Sequence, residues 1–276
     1  MPTSRTVTVD MSKVSGTQAK AWWYNPSNGQ TTLIGTFATT GARDFTTPGN
    51  SDWLLVIDDA SQNLAAPGTT TASPGAPAVS YSTDFNTNES PISESGAWSN
   101  NGIDWTAVTV ANGFAFGAQP SGSPAFDDSI SVLSGFPPDQ SATAVIHVDG
   151  TLNSGTHEVE ILLRFSISPH DAHGYECNLS FGPTSSYTEI VRWNGPLGSY
   201  DYVSRSNSVA PHEGSVLSAT IVGNIITVTL DGVVINTADI ASIGGTVWTT
   251  GNPGMGFWHG DNAPHYAFTS FSANSL

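Results

Sequence analysis

The chain has 276 residues, and its seven Lys and Arg face 23 Asp and Glu, for a formal net charge of −16. A phosphate polymer or an anionic lipid surface needs Lys and Arg to neutralise it, so nucleic acid and acidic membranes are excluded as partners. No apolar run approaches the roughly 18 residues of a membrane helix, and a single cysteine, Cys177, excludes an internal disulfide.

Helix signals are missing nearly everywhere. Short β-branched or aromatic runs alternate with clusters of Gly, Pro, Asn and Asp, which predicts an all-β protein. In the first sixty residues the pattern predicts strands over Thr6–Asp10, Lys20–Tyr24, Gln30–Phe37, Arg43–Thr46 and Trp53–Asp58. Asn25–Gly29 (NPSNG) reads as a turn, with Pro26 presetting φ and Asn28-Gly29 tolerating positive φ. About five strands in so few residues make a small Ig-like β-sandwich, of accessory rather than catalytic size.

The stretch Ser61 to Ser80 (SQNLAAPGTTTASPGAPAVS) carries no charge and no aromatic ring. It cannot bury enough apolar surface to offset its ordering entropy and reads as an extended linker. Structureless loops beyond about 12–15 residues are uncommon inside compact domains. The predicted division is therefore 1–60, a Pro/Ala/Thr linker over 61–79, and a second module over 80–276. Charge follows the same cut. Residues 1–60 are close to neutral, whereas residues 81–276 hold three Arg, no Lys and eighteen acidic residues.

In the second module strands are predicted over Trp105–Val110, Phe114–Gly117, Ala142–Val148, His157–Ile167, Tyr175–Phe181, Thr188–Trp193, Val216–Val222, Ile225–Leu230, Val233–Asn236 and Phe268–Ala273. Gly223-Asn224 and Asp231-Gly232 separate alternating runs and signal two hairpins. The segment GNPGMGFWHGDNAPHY reads as a loop before the final strand. Cys177 falls in an alternating apolar run with Tyr175, Leu179 and Phe181, which predicts a buried, inert thiol.

Two resemblances follow from these residues. The runs VDMSKVSG and AWWYNPSNGQTTLIGTFATTGARDFTTPGNSDWLLVIDDA resemble the small C-terminal module, labelled as collagen-binding, that follows the catalytic barrel in a family of bacterial glycoside hydrolases. The likeness covers residues 5–60. It implies an accessory module that packs beside a catalytic domain and transfers no catalytic residue. Residues 80–276 resemble a concanavalin A-like, laminin-G-type jelly roll in an opening DFN strand, GYECNLSFG, GNIITVTLDG, PGMGFW and FTSFSA. That likeness implies two antiparallel sheets with one concave face and no particular ligand.

Glycoside hydrolysis needs paired carboxyls. Glu158 and Glu160 lie two apart in HEVEILLR and share one strand face. Jelly-roll glycosidases carry E-x-D-x-x-E, but here Leu163 stands where the second catalytic acid belongs. The pair therefore reads as a solvent-facing strand edge, and no catalytic residue is assigned. His170 and His173 in one loop, with His259 and His265 in another, lack a converging third ligand for zinc. A uronate-handling set drawn from Arg164, His173, Tyr175 and His259 meets the same objection, since so few cationic residues are present.

Aromatic rings among polar side chains give a stronger signal, because sugars stack their C–H faces on flat rings and offer hydroxyls to Asn, Asp and Arg. Trp193, Tyr200 and Tyr202, beside Arg192, Asn194 and Asp201, form one such group; Trp258 with His259 and Asp261 forms another. Trp98, Trp105 and Trp248 read as core. Asp84, Asn86 and Glu89 near the opening strand, or Asp127-Asp128, could supply hard oxygen ligands to a structural calcium, with no cofactor required.

These readings predict a multimodular, extracellular bacterial protein or fragment, its export signal absent from this chain. Its expected role is non-catalytic binding of a neutral polysaccharide, in partnership with a catalytic glycoside hydrolase domain. The alternatives are a glycoside hydrolase or polysaccharide lyase in the same groove, and a protein-binding adhesion module.

Overall fold

A computed structural model of the protein describes residues 4–26, 29–50, 52–62, 64–68, 78–117, 128–149, 156–183, 185–208, 210–258 and 263–276. The chain divides into two compact units, Met1–Pro77 and Ala78–Leu276, each built of antiparallel strands. No helix among the described residues is long and apolar enough to cross a membrane.

The first unit holds β1 (Thr6–Asp10), β2 (Gln18–Tyr24), β3 (Thr31–Ala38), β4 (Ala42–Thr46) and β5 (Leu54–Asp59). The strands pair as β1 with β4 and as a sheet of order β3-β2-β5. Alternation in β2 turns Ala19, Ala21 and Trp23 inward to join Met11 and Phe45 in a small core. After β5 the chain makes a turn of 3-10 helix over Ala60–Gln62, so the first residues of the expected linker are ordered. Gly68 lies against the Tyr24 ring, where a β-carbon would clash at 2.6 Å. Residues 69–77 lie outside the described set.

The second unit is a sandwich. One sheet runs β17 (Val233–Asp239), β16 (Ile225–Leu230), β15 (Val216–Val222), β10 (Gln140–Val148), β19 (Tyr266–Ser275), β8 (Phe114–Phe116), β7 (Thr109–Ala111), with β6 (Ser80–Thr83) also on β19. The other runs β14 (Tyr200–Asn207), β13 (Ser186–Gly195), β12 (Asp171–Phe181), β11 (His157–Ser168), β18 (Asn252–Trp258), β9 (Ser129–Val132). Val159, Ile161, Leu163, Tyr175, Cys177, Leu179, Ile190 and Phe257 face inward from the six-stranded sheet and meet Ala142, Ala144, Ile146, Leu217, Ala219 and Phe271. Cys177 is fully buried in this layer, and burial raises its thiol far above the ordinary range.

Both expected hairpins are present: Asp231 and Gly232 each take positive φ, while Gly223 does so alone at the other turn. One expectation is overturned. The segment read as a loop forms β18 between β11 and β9, because its glycines admit close backbone approach: a β-carbon on Gly254 would sit 2.6 Å from the Ser131 carbonyl.

Candidate functional site

With its inward positions filled by core residues, the six-stranded sheet turns its alternate positions outward. On β11 these are Glu158, Glu160 and Leu162; on β12, Glu176, Asn178 and Ser180; on β13, Tyr187, Glu189, Val191 and Trp193. Several of them border a groove of about 260 Å3, walled by Trp193, Tyr200 and Tyr202 at one side and Trp258 at another, with Asp128, Glu158, Glu176, Asn178 and Glu189 between.

Asn178 organises the floor. Its amide donates to Glu176 Oε1 at 2.9 Å and to Glu158 Oε2 at 3.4 Å, and its carbonyl oxygen accepts from the Glu189 backbone N–H at 3.0 Å. Two carboxyl groups thus bracket one amide. Ser180 and Tyr187 donate to Glu158 Oε1, and Trp193 Nε1 donates to Glu176 Oε2 at 2.6 Å. Burial, reinforced by the Glu176 charge, pushes the Glu158 carboxyl up to about 7. Burial likewise raises Glu176 and Glu189, the latter held down in part by Arg205, 3.2 Å away. Glu160 is completely buried, neither carboxyl oxygen has a hydrogen-bond partner, and its proton affinity is raised well above the ordinary range by burial and then by Glu176, Asp128 and Glu158.

This corrects the reading of Glu158 and Glu160 as a solvent-facing edge. Their strand lies inside the sheet, with β12 and β18 on its two sides. Leu163 is core, as its inward register requires, and the further carboxyls come from β12, β13 and Asp128 rather than from the same strand. Glu176 and Glu189 were missed as site residues, and Asp128 was singled out only with Asp127 as a calcium ligand, not as part of this groove. The signal for Glu176 was present in YECNLSF, whose apolar phase (Tyr175, Cys177, Leu179) leaves Glu176, Asn178 and Ser180 together on the opposite face.

The predicted ligand-binding residues separate into three sets. Tyr200, Tyr202 and Trp258 line the groove; the two tyrosine rings meet edge to face at 5.4 Å, and Tyr202 is 55% exposed. Trp193 reaches the groove as a buried wall, packed between Trp105 at 6.2 Å and Tyr200 at 5.5 Å, rather than as an open platform. Arg192, Asn194 and Asp201 are held on the other side of β13 and β14 by one another and by the loop at Gly244–Thr246. They do not reach the groove. His259 and Asp261 lie outside the described residues, as does Asp127.

The remaining candidates do not converge. His170 pairs with Asp104 and His173 with Asp171, each at 2.8 Å, and the His173 ring stacks on Trp248 at 4.3 Å. The Arg164 guanidinium is buried against Asp139 and the carbonyls of Pro138, Gly223 and Trp248, and Tyr175 OH accepts from the Trp248 N–H, so no uronate-handling set forms with them. Asp84 and Asn86 border a polar depression with Glu94, but Glu89 Oε2 is occupied by the N–H groups of Ser93 and Glu94, at 2.6 and 2.7 Å.

Residues 1–58 match the family model described as "Putative collagen-binding domain of a collagenase". No curated protein matches the chain. Similar solved structures include the carbohydrate binding module CBM66 from Bacillus subtilis, at 12% identity and TM-score 0.45, covering 67% of this chain and 95% of that one. The kappa-carrageenase from Pseudoalteromonas carrageenovora matches at 11% identity and TM-score 0.43, over 74% and 97% of the two chains. The Crh5 transglycosylase matches at 15% identity and TM-score 0.43, over 71% and 84%.

Proposed function

We propose that the jelly-roll module binds a glycan chain in the groove on the outer face of its six-stranded sheet, with a neutral polysaccharide as ligand. The observation that carries this reading is the lining itself, where Tyr200, Tyr202 and Trp258 stand around a floor of carboxyl and amide acceptors. Rings of this kind take the C–H faces of sugars, and the acceptors take their hydroxyls. Neutral ligands are favoured because Arg164 and Arg192 are committed elsewhere and Arg205 is engaged with Glu189 and the Tyr187 ring. A carbohydrate binding module among the similar folds is consistent with this role. The family match of the first unit suits an accessory position beside a catalytic glycoside hydrolase domain in an extracellular, multimodular protein. A structural calcium at the opening strand would draw on Asp84, Asn86 and Glu94, which border the depression together with Ser82, Thr83 and Thr87.

The test is calorimetry against soluble cellulose derivatives, xylan, mannan and β-glucans. Tyr202→Ala and Trp258→Ala should each weaken binding about tenfold, equivalent to about 1.4 kcal/mol. Silence of the wild-type protein across that panel would sink the reading.

Hydrolysis is the second reading, favoured by one arrangement: Glu158 and Glu176 flank a single amide inside the groove. Glycosidases use such a pair as acid and nucleophile or base. Release of reducing ends by the wild type, abolished in Glu158→Gln while binding persists, would decide for it.

A further inference from the structure

Below the groove, three carboxyl groups from separate segments converge. Asp128 precedes β9, Glu160 lies in the first third of β11 and Glu176 on β12, and each offers an oxygen within 4.8 Å of the others. Buried polar atoms are almost always satisfied, because an unmade hydrogen bond to a desolvated group is costly. Glu160 departs from that rule at both oxygens while fully excluded from solvent. The facing strand accommodates this carboxyl rather than bonding it, since a β-carbon on Gly256 would overlap Glu160 Oε2. Among the described residues, no salt bridge joins Glu160 or Glu176 to a cationic side chain. Residues 81–276 contain three Arg and no Lys, and Arg164, Arg192 and Arg205 pair with Asp139, Asp201 and Glu189. Among the described residues, His147, His170, His173, His212 and His265 also pair with carboxylates outside the cluster.

We propose that Asp128, Glu160 and Glu176 form a divalent-cation site, with Ca2+ as the ion, seated under the floor of the groove. An all-carboxylate donor set is hard and selects Ca2+, Mg2+ or Mn2+ over zinc or copper. Ca2+ suits it best, as it accepts irregular geometry and completes six to eight oxygens with water. Asp128 and Glu176 border the groove, so that water has a route to the ion. Trp193 Nε1 and the Asn178 amide each bond one oxygen of Glu176, which fixes the carboxylate and leaves lone pairs for a metal. This site is separate from Asp84, Asn86 and Glu89, and it does not depend on the groove taking a glycan.

The experiment uses Tb3+ as a luminescent stand-in for Ca2+ on the full-length protein, at neutral pH after EDTA treatment. Because Trp193 bonds a ligand residue, excitation of tryptophan should sensitise saturable Tb3+ emission from the cluster. Ca2+ should quench that emission by competition and raise the Tm. Glu160→Gln, which keeps the shape and removes the charge, should weaken Tb3+ binding at least tenfold and abolish the Ca2+ shift in Tm; Asp128→Asn should do the same. The proposal is overturned if the wild type shows no sensitised emission and no Tm response to millimolar Ca2+, or if both cluster variants bind as well as the wild type. Tyr202→Ala separates the two readings: it should weaken glycan binding and leave Tb3+ emission intact.

Discussion

Arg192 and Trp193 are consecutive in sequence and serve opposite faces of β13. Trp193 reaches the groove, while Arg192 Nη1 donates to the carbonyls of Gly244 and Thr246 at 2.6 and 3.1 Å and Nη2 donates to Asp201 at 2.7 Å. Gly245 is required at that contact, where a β-carbon would stand 2.7 Å from Nη2. Asp201 also accepts from the Asn194 amide at 2.8 Å, and these bonds, Asn194 first and then Arg192, hold its carboxyl below the ordinary range. Asp201→Ala should therefore lower the Tm of the module, because it leaves a buried guanidinium without its counter-ion, and should leave glycan affinity unchanged. The pH dependence has a definite sign. A depressed folded pKa stabilises above the unfolded Asp value of about 3.9, and the contribution disappears as pH falls through the folded value. The Tm gap between wild type and variant should be full at pH 5–7, shrink below the unfolded value of about 3.9 and close once the pH is below the depressed folded value. A gap that persists at lower pH would refute the assignment.

At the scale of the element, β18 shows what patterning conveys and what it omits. Proline and glycine weaken a strand in isolation, so NPGMGFW reads as a loop. Its place in the sheet is set instead by room: Gly254 admits the Ser131 carbonyl and Gly256 admits Glu160. Substituting Gly256→Ala should destabilise the protein by forcing Glu160 aside, and combining it with Glu160→Ala should recover part of the loss. The coupling in a double-mutant cycle of thermal melts should be of order 0.5–3 kcal/mol, as for residues in contact; strictly additive effects would argue against the contact. The same distinction explains which parts of the site were legible. Val216–Val222 and Ile225–Leu230 match their expected bounds because turn residues punctuate both ends. Tyr200 and Tyr202 were legible as one face through simple alternation. The acid floor was not, because Glu160, Glu176 and Asp128 come together only through the order β12-β11-β18-β9, and strand order is not written in any local run.

Across the whole molecule, the two units have separate cores. Met11, Ala19, Ala21, Trp23 and Phe45 form one, and the inter-sheet layer from Phe85 to Ala273 forms the other. Charge is divided as unevenly, with fifteen of the sixteen net negative charges in residues 81–276. Cooperative unfolding requires a shared core, so calorimetry of the full chain should resolve two transitions rather than one. A unit of about sixty residues buries a smaller fraction of its surface than one of about two hundred, which places the first unit at the lower temperature. A ligand that binds only the native second unit should raise only the upper transition, by mass action. Residues 78–276 expressed alone should then melt at the same upper temperature and bind glycan with unchanged affinity. A single merged transition, or a fall in the upper Tm when the first unit is removed, would show that the two cores stabilise each other.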